Sequence, residues 1–171
     1  MLTKNFYSYI RAAFQKTSAS FKTISGTVSN TTLNSDNPPF KTMNSWTASS
    51  NSCGVAFGTG TTPATPSDYF LESILSSTEI GVSTPSAVSF SRFDTYEEYS
   101  VTFGITNKTD SAIVISEVGL ITEPYYLANG NNYTHIRALV DRTVLDTPVT
   151  IPAGQSKQIT YTIRFNYGDA V

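Results

Sequence analysis

The chain has 171 residues, of which 39% are apolar and 14% charged, with a formal net charge of −2. That length fits one domain with a sizeable core, while the charge content falls well below the usual quarter. The 11 Lys and Arg form no block, which argues against a nucleic-acid module, since such modules need a concentrated basic face.

Leu2, Phe6, Ile10 and Phe14 recur every four residues. This predicts an amphipathic helix, within an N-terminal element spanning 1–16. Two roles fit it: packing on its own sheet, or an arm that docks on a neighbouring subunit through Phe6, Ile10 and Phe14. Lys4 and Arg11, on other faces of that helix, interrupt the segment Met1 to Gln15, so no apolar run of signal-peptide length is expected. No stretch approaches the about 18–20 apolar residues of a membrane span, and a soluble protein made in a cytosol is expected.

Residues 17–52 read as an extended polar region with weak strands, one of them around Phe21, Ile24 and Val28. Asn37-Pro38-Pro39 breaks any ladder, because proline has no amide donor. Trp46 reads as a core anchor. Residues 53–171 read as a β-domain. Cys53, Val55 and Phe57 alternate with Gly54 and Ala56, a short strand with one smooth face that a second backbone can approach. Cys53 is the sole cysteine, so it has no internal disulfide partner; its apolar neighbours make it a small buried residue. The loop Gly58-Thr59-Gly60-Thr61-Thr62-Pro63 lacks the Lys and the helix start of a phosphate loop. Ser67-Asp68 is expected to cap a short helix over Tyr69 to Leu75.

From Ser86 the pattern is β. Tyr99, Val101, Phe103 and Ile105 line one strand face, and Ser100, Thr102, Gly104 and Thr106 the other. Strands are expected over Ala112 to Thr122, Tyr133 to Val140 and Val144 to Ile151. Ala128-Asn129-Gly130-Asn131 and Pro152-Ala153-Gly154-Gln155 are turns. In the last strand Ile159, Tyr161, Ile163 and Phe165 alternate with Thr160, Thr162 and Arg164. About seven or eight short strands without a βαβ unit predict a mainly β fold. The expected architecture is an antiparallel β-sandwich, jelly-roll or immunoglobulin-like, behind an N-terminal amphipathic helix.

Chemistry-bearing residues are sparse. His135 is the only histidine and lies mid-strand; no GxSxG elbow accompanies it. Glu97 and Glu98 are adjacent in a strand, so they point to opposite faces and cannot share acid and base work. Glu117 is expected to pair with Arg137 or Arg142 as a structural contact, Glu117 with Arg142 above all. No catalytic, metal or cofactor-binding residue is assigned, and no cofactor is expected. Tyr125, Tyr126 and Tyr133 cluster near a loop and are candidates for recognising a protein, a surface glycan or a receptor.

Two motif groups carry a family resemblance. One comprises Ser116-Glu117-Val118-Gly119-Leu120, Leu139-Val140-Asp141-Arg142-Thr143-Val144-Leu145, Pro148-Val149-Thr150-Ile151-Pro152-Ala153-Gly154-Gln155 and Thr160-Tyr161-Thr162-Ile163-Arg164-Phe165. The other is Val55-Ala56-Phe57-Gly58-Thr59-Gly60-Thr61-Thr62-Pro63 with Asp68-Tyr69 and Leu71. Together they resemble small structural proteins of tailed bacteriophage virions, over roughly Val55 to Phe165. The resemblance implies a β-sandwich virion component without enzymatic activity, in the capsid head, neck or tail. Its partners would be copies of itself and other virion proteins, with no nucleic acid and no membrane. The alternative is a carbohydrate- or receptor-binding β-module.

Overall fold

The computed structural model describes residues 1–15, 18–32, 45–47, 53–122, 125–128, 132–135 and 137–166. The order is a helix, α1 (Lys4–Gln15), then β1 (Ser18–Lys22), β2 (Val28–Thr32), β3 (Gly54–Gly58), β4 (Ile80–Val82), β5 (Ser89–Arg92) and β6 (Tyr96–Asn107). It continues with β7 (Ile113–Thr122), β8 (Tyr125–Ala128), β9 (Asn132–His135), β10 (Ala138–Ile151) and β11 (Ser156–Asn166). The protein is mainly β, with antiparallel sheets and one short N-terminal helix. One sheet runs β10-β7-β3 and another β11-β6-β4, with β5 also on β6; β1-β2 and β8-β9 are two-stranded. No helix among the described residues is long and apolar enough to cross a membrane.

The period-two pattern sets the core. Val101, Phe103 and Ile105 of β6 and Tyr161 and Ile163 of β11 are buried, and they share one cluster with Val55, Phe57, Ile115 and Leu120 from the other large sheet. Phe57 and Phe103 meet edge to face, 5.5 Å between ring centres. Burying each such side chain contributes about 1.5–3 kcal/mol. Strand β7 is buried at all but one position. Its second face is covered too: Ile121 packs with Ala56, Leu71 and Leu139. Apolar residues therefore occur on both of its faces, as in any strand covered on both sides, although Ser116, Glu117 and Gly119 interrupt the run.

The smooth face foreseen for β3 is used as a close crossing. Gly54 has φ +141°, and a Cβ there would lie 2.6 Å from the carbonyl oxygen of Ser45. The segment at Ser45 to Thr47 pairs with Val55 across this contact.

Packing bears on three expectations. First, of the two roles open to the helix, Phe6 and Ile10 show packing on the chain's own sheets. Phe6 is buried in the main core and Ile10 packs against both that core and the cluster of Tyr9, Phe21 and Ala138. Apolar burial on the chain's own sheets is the stronger use of that face. The Phe14 side chain lies outside the described residues. Second, Tyr69 to Leu75 forms no helix. Asp68 accepts hydrogen bonds from the Thr65 amide and hydroxyl instead of capping, and the following chain lies beside β3, where Leu75 donates to Phe57 and Gly58 bridges Ile74. Third, β10 is a single 14-residue strand. The register irregularity between Val144 and Val149 absorbs Pro148 without ending the strand, which carries a further shift between Leu139 and Asp141.

The first residues strap onto β10. Leu2 bridges Asp141, the Thr3 amide donates to Val140, and the Thr3 hydroxyl donates to Leu139. On the other side Asp141 accepts the Tyr161 hydroxyl at 2.7 Å. Burial, then the Asp141 charge and hydrogen bond, push the Tyr161 phenol well above its ordinary pKa. A raised folded pKa gives stability that is complete below the unfolded value and lost as pH rises past it. The denaturation midpoint is therefore expected to fall above about pH 10, and Tyr161→Phe to flatten that alkaline loss. A pH series of urea titrations on both proteins checks it.

Candidate functional site

Two places gather polar or exposed groups. The first is centred on Arg142, in β10. Its Nε donates to Glu117 Oε2 at 2.8 Å, Nη1 to Asp68 Oδ2 at 2.8 Å and Nη2 to the Thr62 carbonyl at 3.1 Å. Antiparallel β7-β10 pairing puts Glu117 and Arg142 near one another, and the pair foreseen from sequence is the one formed. Glu117 is fully buried. Its Oε1 accepts the amides of Gly60 and Ser73, and Oε2 that of Glu72. A Cβ at Gly58 or Gly60 would lie 2.5 Å from Glu117 Oε1, so glycine is required at both. Glu72 in turn accepts from Thr61 and Thr62.

An open cavity of about 500 Å³ borders this cluster, lined by Ile24, Tyr69, Phe70, Glu72 and Arg142 among others. Its carboxylates are poor proton donors. Burial raises Asp68, but hydrogen bonds from Thr65 and Arg142 and the Arg142 charge outweigh it and lower the pKa. The Thr62 amide and hydroxyl lower Glu72 as well. Both stay ionised at neutral pH, and their oxygens are already engaged by amides, threonine hydroxyls and, for Asp68, Arg142. The arrangement staples the 58–75 loop to β7 and β10. Among the described residues no group of His, Cys, Asp and Glu could hold a metal ion.

The second place is an aromatic shelf at one end of the β11-β6-β5 sheet. The inner face of β6 runs Ile105, Phe103, Val101 into the core and then continues to Tyr99 and Glu97, which are only half-buried. Register sets Phe90 of β5 opposite Tyr99 and Arg92 opposite Glu97. Phe165 of β11 lies opposite Glu97 on the other side. Ring centres are 5.3 Å apart for Phe90 and Tyr99 and 5.9 Å for Tyr99 and Phe165. Phe6 closes the row 6.0 Å from Phe165. Phe90 is 50% exposed, and Tyr7 beside Phe6 is 59% exposed. The core face of this sheet thus emerges into solvent.

Arg92 Nε donates to Glu97 at 2.7 Å beside these rings. On the opposite face of the sheet Arg164 Nε donates to Glu98 at 2.8 Å. The Arg164 guanidinium lies 4.1 Å from the Tyr96 ring centre. Tyr96 stacks with Phe93 at 4.4 Å, and Phe93 is 45% exposed. Rings beside guanidinium–carboxylate pairs are the composition of protein-binding surfaces.

Tyr125 and Tyr126 lie on β8 and Tyr133 on β9, where Tyr125 pairs with His135 and Leu127 with Tyr133. Their side chains, and residues 129–131, lie outside the described residues. Sequence reasoning missed the shelf, although Ser89-Phe90-Ser91-Arg92-Phe93-Asp94-Thr95-Tyr96-Glu97-Glu98-Tyr99 packs four rings into a short span. No protein-family model, no curated protein and no solved structure matches the chain.

Proposed function

We propose that the protein is a non-enzymatic structural component of a tailed-bacteriophage virion, in head, neck or tail, that assembles with itself and with other virion proteins. In this reading the two larger sheets form an antiparallel β-sandwich of jelly-roll or immunoglobulin-like type. The observation that carries the assembly role is the aromatic shelf, a core-type face left open to solvent beside the Arg92–Glu97 pair. An exposed apolar patch rimmed by polar groups marks an interaction surface. The virion assignment rests on the resemblance. Its support is that the motif residues Gly58, Gly60, Asp68, Glu117 and Arg142, far apart in sequence, meet in one cluster.

Incorporation is the test. An antibody against the chain should label purified tailed particles whose genome encodes it, at a fixed copy number. Particles that never contain it overturn the virion reading.

A second reading, a carbohydrate- or receptor-binding module, is favoured by one feature. The stacked Phe93 and Tyr96 sit beside Arg164 and Glu98, a platform on which a sugar ring can stack. A glycan array distinguishes it: binding that Phe93→Ala abolishes supports it, and no binding removes it.

A further inference from the structure

The sheet edges are not treated alike. Strand β3 is covered along its outer edge by Ser45 to Thr47, Ser73 and Leu75. Strand β10 is covered by Leu2 and Thr3, and beyond them it carries a bulge and Pro148. Strands β4 and β5 have only 3 and 4 residues. Short strands, prolines, bulges and covering segments are the devices that blunt an edge against other chains.

Among the described residues, strand β11 has none of these. It runs for 11 residues without proline, and its register with β6 is continuous from Ser156 to Asn166. Among the described residues no backbone hydrogen bond reaches the outer edge of Gln158 to Ile163. Those residues are uncharged and rich in β-branched side chains, the composition that favours strand addition.

The sequence of this edge is also palindromic: Ile159-Thr160-Tyr161-Thr162-Ile163 reads the same in both directions. An antiparallel strand pair about Tyr161 therefore sets Ile opposite Ile, Thr opposite Thr and Tyr opposite Tyr. The cations fall outside this block. In the same register Lys157 faces Phe165 and Arg164 faces Gln158, so no like charges meet. On the solvent face Thr160 and Thr162 already pair with Thr102 and Ser100 of β6 at 2.9 and 2.7 Å. A second copy would extend that hydroxyl ladder by the same chemistry.

We propose that β11 is a homotypic assembly edge, at which two copies join antiparallel about Tyr161 into one continuous sheet. The partner is a second copy of this chain, because a two-fold contact requires a self-complementary patch. This rests on the self-assembly part of the functional proposal, yet particle labelling reads the virion assignment independently of it.

The test uses the full chain with two double variants at exposed positions, T160K/T162K and T160D/T162D. Circular dichroism establishes that each remains folded. Light scattering should find the wild type dimeric and each variant alone monomeric, because like charges then face each other across the axis. An equimolar mixture should regain the dimer, since Lys then faces Asp at both pairs. A monomeric wild type, a dimer that survives in either variant, or a mixture that stays monomeric overturns the proposal. Any of these leaves a positive particle-labelling result standing.

Discussion

Arg142→Met is expected to lower the unfolding free energy by about 3–5 kcal/mol, the cost of leaving a buried partner charge uncompensated. The partner is Glu117, which has no exposed surface. Its carboxylate would remain among three backbone amides with no cation beside it. Arg142→Lys should recover only part of this, because one ammonium cannot reach Glu117, Asp68 and the Thr62 carbonyl together. Urea titration reads the loss. Limited proteolysis reads where it acts, with new cleavage expected in the 58–75 loop before the sheets open. Loss of stability without any loosening of that loop would contradict the stapling role.

Phe103→Ala is expected to cost about 3–5 kcal/mol, as deletion of a fully buried ring does. Phe57→Ala should cost a similar amount. The two rings belong to different sheets and meet edge to face. The double variant should therefore lose less than the sum of the singles, by about 0.5–1.5 kcal/mol. Strict additivity would mean that the two sheets do not share a common core.

Much of this was legible in the residue pattern. The alternation in β6 and β11 identifies the inward residues, whereas burial of β7 on both faces was masked by Glu117 and Gly119 inside its apolar run. Glu117 and Arg142 could be paired from sequence because neighbouring strands bring them close. Asp68 and Glu72 could not be added, since they arrive on a loop whose course no local propensity determines. The expected helix at Tyr69 failed for the same reason: the loop follows the demands of Glu117 and β3, not its own capping residues. The shelf shows another limit. Period two says which face Tyr99 and Phe90 occupy, but not where the core cluster stops covering that face. The helix pattern at Phe6 and Ile10 was plain, and only tertiary packing decided that the apolar side turns inward.

The strap of Leu2 and Thr3 along β10 has a kinetic consequence. The Thr3 hydroxyl and the Leu139 carbonyl are 136 residues apart in sequence. At about 5–20 residues per second, a ribosome needs roughly 7–27 s to supply the second partner after the first. During that interval the amphipathic helix has β1 but no β10 to lie against, so only part of its apolar face can be buried. Closing so long a loop is also the entropically slow kind of step. The Leu2–Thr3 strap thus finds its place only after most of the β-domain has been made.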